Sequence, residues 1–312
     1  MNKLKTKKQN RMKGSRMDNF QLLTLQIPGI ILIFLFCYLP MYGIIVSFKN
    51  FNPNKGIWGS EWVGLKNFEF FFKSQDKFII IRNTVLYNLW FMVIGLVAAV
   101  TIALMMYNLR KRYLVKTYNT IMILPRFLSA VLISYIVYAL LNPASGVINQ
   151  VLASMGAKAV DWYAKPEAWP FILTIVYVWQ HCGYDSIIYY AALMGINPEL
   201  FEAATIDGAN KWQQTLHIAI PELVSLMIIK TILAFGSIFG GDFGLFYQTT
   251  RNVPALYPTT DIINTYTFRL LMENNRPAVS AAIGLVQSLV GLFLIVTVNL
   301  IVKKISPEDS LF

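Results

Sequence analysis

Residues 197–221, NPELFEAATIDGANKWQQTLHIAIP, form a long polar interruption between two apolar runs. Asn197 suits a helix N-cap and Pro198 the first helical position, where a missing N–H leaves nothing unsatisfied. Glu199 and Glu202 fall near the positive end of that helix dipole. Ala203 and Ala204 are strong helix formers, and Gly208 supplies the left-handed conformation that ends the helix. Asn210, with Gln213 three residues on, makes a loose capping box for a second short helix. Trp212, Leu216 and Ile220 recur every four residues as one apolar stripe, and Pro221 closes the unit. The local structure expected is therefore helix, glycine turn, helix. A helix of about ten residues reaches only ~15 Å, too short to cross a bilayer. A plain connector has no use for two capped helices, whereas a rigid projecting helix is the shape that docks into a partner's groove.

The surrounding chain is apolar. Of 312 residues, 56% are hydrophobic and 14% charged, with mean hydropathy +0.51; an average soluble domain carries about 25% charged residues. An integral membrane protein is expected. The net charge of +11 does not call for nucleic acid, because Lys3, Lys5, Lys7, Lys8, Arg11, Lys13 and Arg16 crowd the first residues. Such a cluster reads as a cytoplasmic topology signal with an attraction to anionic lipid. Cys37 and Cys182 lie in apolar runs and read as small buried residues, far from a disulfide or zinc framework. There is no G-x-x-x-x-G-K-[ST] loop, no H-E-x-x-H and no G-x-S-x-G, and the only histidines are His181 and His217. No enzyme activity, metal site or cofactor is expected of this chain.

Read in order, residues 1–21 are a basic tail and residues 22–48 a first span, kinked at Pro28 and Pro40. Residues 49–83 make an outer segment, in which Trp58 and Trp62 suit a membrane interface. There, Phe68, Phe71 and Phe72 with Lys66, Lys73 and Lys77 suit a helix lying on it. Further spans follow at 84–109, 118–141, 169–193, 222–247 and 278–302, each long enough for ~30 Å of hydrocarbon. Outer segments lie at 142–168 and 248–277, the latter with a short amphipathic helix over 261–272. Residues 84–302 form the core domain and 303–312 a second tail. Six spans place both termini and residues 197–221 in the cytoplasm. The Lys/Arg distribution supports this moderately, and the basic tail supports it most.

Glu202-Ala203-Ala204, Asp207-Gly208-Ala209, Ile218, Ile220 and Pro221 resemble the EAA loop of binding-protein-dependent ABC importer permeases, with Ile220 where leucine is usual. Pro40-Met41-Tyr42-Gly43, Val63-Gly64-Leu65-Lys66-Asn67-Phe68 and Thr259-Thr260-Asp261-Ile262-Ile263-Asn264-Thr265-Tyr266 resemble the oligosaccharide-type members more narrowly. The resemblance implies an all-α, polytopic membrane protein with six transmembrane helices and the type I ABC importer permease fold. It also implies a multi-pass plasma-membrane location and a carbohydrate cargo. The partners implied are a second homologous permease, two ABC ATPase subunits and an extracytoplasmic binding protein or lipoprotein. ATP hydrolysis falls to the separate subunits. Pro198, Glu199, Phe201, Glu202, Ala203, Ala204, Asp207, Gly208 and Ala209 are the expected ATPase-coupling residues, with Glu202 the polar contact. Asp207 is read alternatively as a simple cap, and Trp212 as an anchor of the second helix against the spans.

Polar residues within spans are the other place for function, because charge in hydrocarbon is costly. His181 and Asp185 share a helix face, with Tyr177, Gln180 and Tyr184 nearby. This set suits either a sugar path or an internal His–Asp pair. Asp242 is a further path candidate. Lys230 is expected to snorkel or to pair with Glu222, and Arg126 to snorkel near the inner end of its span, with gating the weaker alternative. Gly236, Gly240 and Gly244 read as a small-residue ridge for helix packing, more at a subunit interface than within one subunit. The rival to an ABC permease is an ion-coupled secondary transporter using His181 and Asp185 as a proton relay; no inverted repeat supports it.

Overall fold

The computed structural model describes residues 16–109 and 111–311, leaving aside the side chains of residues 16–22 and Arg112. The basic residues Lys3 to Lys13, the Arg16 side chain and Arg110 lie outside that description. The first helix, α1 (Arg16–Ile33), passes through a π turn at Phe34–Tyr38 and a 3-10 stretch at Tyr42–Phe48. A two-residue hairpin, β1 (Lys49–Asn50) with β2 (Glu61–Trp62), follows. Next come α2 (Lys66–Lys73), α3 (Lys77–Tyr107), α4 (Arg112–Ile123), α5 (Ala130–Leu141), α6 (Val147–Ser154), α7 (Trp169–Met194) and α8 (Pro198–Ile206). The last three are α9 (Lys211–Gly236), α10 (Ile263–Met272) and α11 (Pro277–Ile305).

Four stretches among the described residues are long and apolar enough to cross a membrane: Leu23–Phe48, α3, α9 and α11. They become five if the bent pair Tyr113–Phe127 and Ala130–Leu141 is one span. The 26-residue α7 is not among them. Its Gln180, His181, Asp185 and tyrosines lower its hydropathy, and its buried face packs along α3. It runs parallel to α3, from Phe91 beside Tyr177 to Ala99 and Ala103 beside Tyr189 and Leu193. Trp169, Leu173 and Leu193 on α7 are fully buried. Leu23, Leu25, Leu32, Phe34 and Phe36 of the first span and Leu289, Leu292, Phe293 and Leu300 of α11 are exposed, as a lipid-facing surface requires.

Two expected straight spans are broken. Residues 118–141 bend by 98° across Leu124–Ser129. Pro125 lacks an N–H for the helical ladder, and Ser129 starts a new helix by accepting a hydrogen bond from Leu132 N at 3.2 Å. Residues 222–247 do not form one helix either. The helix ends at Gly236, Gly241 turns the backbone at φ 60°, and a short π turn resumes at Gly244–Gln248. Gly236, Gly240 and Gly244 therefore do not share a ridge. Gly236 packs inside the chain, where an added Cβ would lie 2.9 Å from Ile295 Cδ1, and Gly244 packs on Ala130, 2.8 Å from its Cβ on the same construction. The two breaks thus meet each other, and Ser134 Oγ on α5 donates to Gln248 O at 2.6 Å beside them.

Pro221 does not end a short helix, because α9 continues through it for another four turns. The π turn at Thr215–Ala219 widens the helix just upstream, which eases the clash that a proline ring makes with the preceding turn. The extra residue shifts the register, so Trp212, Leu216 and Ile220 do not hold one buried stripe. Trp212 is 73% exposed and Leu216 46% exposed. At the far end of the bundle, the segment 254–263 is tied to α3. Tyr87 Oη donates to Thr259 O at 2.8 Å, Asn83 Nδ2 to Asp261 O at 3.1 Å, and Ile263 N to Thr84 Oγ1 at 2.9 Å. Buried Arg269 pairs with buried Asp261 there. Burial opposes the Arg269 charge, but the hydrogen bond and field of Asp261 outweigh it and raise its pKa. One face of α2 is not free for an interface, since Phe71 is buried and packs near Tyr266.

Candidate functional site

The projecting unit is built from local hydrogen bonds. Asn197 Oδ1 accepts from Glu199 N at 3.1 Å and starts α8. Pro198 occupies the first turn and Glu199 the acidic position near the dipole's positive end. At the other end Gly208 takes φ 81°. Ala209 N reaches Ala204 O at 2.8 Å, and Gly208 N reaches Thr205 O at 3.1 Å, the bond pair of a Schellman stop. Asp207 stands at the C-cap with an exposed side chain. Asn210 and Gln213 form the reciprocal capping box that opens α9, at 2.9 and 2.8 Å.

Two side chains fasten this unit to the bundle. Phe201 is half-buried with its ring 5.7 Å from that of Tyr107, at the end of α3. Gln214, which the sequence pattern does not single out, is buried; its Nε2 donates to Thr205 Oγ1 at 2.8 Å and Ala209 O at 3.2 Å. The outward face then carries Glu199, Glu202 and Ala203, all exposed, with Leu200 and Ile206. Ile206 is 85% exposed, an apolar tip with nothing on it. Ala204, Asp207, Gly208 and Ala209 rim a hollow of about 290 Å³ shared with Gln213 and His217. Trp212 lines a separate groove against Leu96, Val100 and Leu104 of α3 and Asn108 just past its end.

The second constellation lies where the two helix breaks face α7. Tyr177 stacks on Phe91 with ring centroids 4.1 Å apart and planes 9° apart, and on His181 at 4.3 Å. Gly95 permits this, since an added Cβ would come within 3.3 Å of the Tyr177 ring. His181 and Asp185 share a face as expected but do not pair. His181 Nε2 lies 4.0 Å from Asp242 Oδ2, and Asp242 Oδ1 also accepts from Leu245 N at 2.9 Å. Asp185 accepts from Lys230 Nζ at 2.6 Å, so Lys230 pairs with neither Glu222 nor the bilayer edge. That ammonium also sits 5.2 Å from the centre of the Tyr189 ring. Phe91, Gly95, Tyr177, Asp185, Tyr189 and Lys230 border a small cavity of about 100 Å³.

Tyr184 is exposed and faces Arg126, whose guanidinium is 5.8 Å from the ring centre. Arg126 is therefore not near the end of the bundle. It stands opposite a residue ten positions before the last of α7, ~15 Å along that helix. Gln180 is buried and makes none of these contacts among the described residues. The structure thus gathers Tyr177, His181, Tyr184, Asp185 and Asp242, and adds Phe91, Arg126 and Lys230. Lysine and arginine inside apolar runs were the available signal for the last two; their partners lie too far along the chain to be read from spacing.

Residues 92–307 match the family described as "Binding-protein-dependent transport system inner membrane component". Protein LplB of Bacillus subtilis (strain 168) is 30% identical over 284 residues, covering 91% of this chain and 89% of LplB. The polygalacturonan/rhamnogalacturonan transport system permease protein YteP of the same organism is 30% identical over 286 residues, covering 90% and 87%. Among solved structures, a bacterial ABC transporter involved in the import of the acidic polysaccharide alginate has a chain with TM-score 0.84 and 30% identity. That match covers 93% of this chain and 97% of the other. A second structure shows an alginate ABC transporter in complex with an alginate pentasaccharide-bound periplasmic protein, with TM-score 0.83 and 29% identity. This chain is a member of the binding-protein-dependent inner-membrane transport component family.

Proposed function

We propose that this chain is the permease subunit of an ATP-driven ABC importer for a carbohydrate, an oligosaccharide by the names of its relatives. It forms half of the pathway together with a second, homologous permease. Two ABC ATPase subunits sit on the cytoplasmic side and an extracytoplasmic binding protein delivers the cargo. In this reading the protein is a multi-pass plasma-membrane component with six spans and both termini inside. The broken and polar stretches at α4–α5 and α7 supply two of those spans. It is not an enzyme by itself, and an ion-coupled secondary transporter is not favoured.

The observation that carries the reading is the projecting α8 unit. Its helix is capped at both ends and tied to α3 and α9, so it moves as a body with the spans it joins. Its outer face offers carboxylates around small residues: Glu199 and Glu202 beside Ala203. An ATPase surface that closes on this face pushes the bundle between two states of the pathway. Pro198, Phe201, Ala204, Asp207, Gly208 and Ala209 shape and anchor the lever, and Glu202 makes the polar contact. The stacked rings of Phe91, Tyr177 and His181, with Asp185 and Asp242, serve as path residues. Aromatic faces stack on sugar rings, and polar groups take up hydroxyl hydrogen bonds.

The test uses the whole importer in proteoliposomes. Glu202→Lys is expected to cut glycan uptake more than tenfold while the ATPase subunits continue to hydrolyse ATP. Normal uptake in that variant removes Glu202 from the contact.

A further inference from the structure

The break between Gly236 and Gly244 is held in its broken form by side chains that stand in for helical backbone. A continuous helix would pair Phe239 O, Gly240 O and Gly241 O with the amides four residues on, those of Phe243, Gly244 and Leu245. Here Gln287 Nε2 on α11 donates to Phe239 O. Asn264 Nδ2 on α10 donates to Gly240 O and, at 3.4 Å, to Gly241 O. Gln287 Nε2 also donates to Asn264 Oδ1 at 2.9 Å, which joins the two amides into one clamp. Leu245 N is taken by Asp242 Oδ1 at 2.9 Å. Three polar side chains thus satisfy groups that the backbone would satisfy by itself if straight, and in a bilayer those groups need partners in either form. The break therefore has two self-consistent arrangements.

Its place in the fold gives that choice a consequence. α9 leads from the α8 unit to the break. Just before it, α9 crosses α11 closely, since a Cβ added at Gly291 would lie 2.8 Å from Gly236 O. Just after it, Asp242 Oδ2 faces His181 Nε2 at 4.0 Å. The clamp is anchored on the far side, where Ile263 N beside Asn264 donates to Thr84 Oγ1 of α3. We infer that Asn264 and Gln287 are positioning residues for transport: they hold α9 broken in this state, and the ATP-driven cycle exchanges the clamped break for a continuous helix through 237–245, which moves Asp242 relative to His181. This inference rests on the importer reading above.

The test is hydrogen exchange of the peptide 237–248 in the complete importer, at rest and trapped with ATP and vanadate. Wild-type amides there are expected to exchange at least fivefold more slowly in one state than in the other. Gln287→Leu and Asn264→Leu remove the donors. Each should bring the faster state within twofold of the slower one and cut glycan uptake per ATP hydrolysed more than fivefold. Gly241→Ala disfavours the broken form from the backbone, at φ 60°, without removing either amide. It should act in the same direction, so a clamp variant that fails to assemble leaves the question answerable. A purely structural clamp predicts the opposite sign, faster exchange in both states when a donor is lost. That result overturns the inference, as does equal exchange of wild type in both states while glycan uptake proceeds. A chain that assembles with no ATPase, or moves no glycan with ATP present, overturns the importer reading and this inference with it.

Discussion

The α8 unit and the polar belt formed by Tyr177, His181, Asp185, Lys230 and Asp242 are both polar interruptions of an apolar chain, yet they are wired differently. In the α8 unit the polar groups satisfy neighbours two to nine residues away, as Asn197 does for Glu199 N, Ala204 O for Ala209 N and Gln214 for Thr205. In the belt they reach across the fold: Lys230 to Asp185, 45 residues off, and His181 to Asp242 on a different break. Short-range wiring makes a stiff piece whose outer face is left over for a partner. Long-range wiring makes a junction between helices that changes when the helices move.

Five substitutions sharpen or break this contrast. The largest effect on stability belongs to the belt. Gly183→Ala puts a methyl into the Met122 carbonyl where α4 crosses α7, and a backbone atom cannot swing aside. A loss of about 3 kcal/mol or more is expected, read as a lowered thermal midpoint of the solubilised complex. Lys230→Met comes next. Asp185 loses its partner, and about 2 kcal/mol is expected rather than the ~3–5 of a fully buried pair, because the side chains are 29% and 28% exposed. Adding Asp185→Asn to it should recover more than half of that loss; no recovery would mean that the two do not act as a pair.

The projecting unit should respond more weakly and one element at a time. Asn197→Ala is expected to cost about 1 kcal/mol. Gly208→Ala, at φ 81°, should cost ~1 kcal/mol. The belt lies far from both sites, so adding either to Lys230→Met should give additive losses within ~0.5 kcal/mol. Clear non-additivity would break the division of the molecule into a stiff lever and a responsive junction.

The same division explains what was legible in the sequence. Caps, the Schellman stop and the capping box depend on residue types at fixed short offsets, and residues 197–214 carry all of them. Beyond Gln214 the pattern misleads, because Pro221 looks like a stop and nothing in the sequence announces a π turn. The glycines of GSIFGGDFG suggest a ridge by their spacing. They are as much helix breakers, each costing ~1 kcal/mol in a helix interior, and the positive φ of Gly241 shows the break. Pro125 carried the same ambiguity in the bent pair. The ion pairs were out of reach because hydropathy places a charge in a span without naming its partner. Asp185 had a candidate at the right helical offset in His181, and the lysine of another helix took it.

The central claim is that the face carrying Glu202 meets an ATPase on the cytoplasmic side. Its most direct test is Glu202→Cys, with Cys37→Ser and Cys182→Ala to remove background thiols. The account predicts that a membrane-impermeant maleimide labels it in inside-out vesicles only, and that a short thiol–amine cross-linker joins it to the ATPase subunit with an ATP-dependent yield. Labelling of intact cells from outside, or cross-links to the binding protein instead, would contradict it.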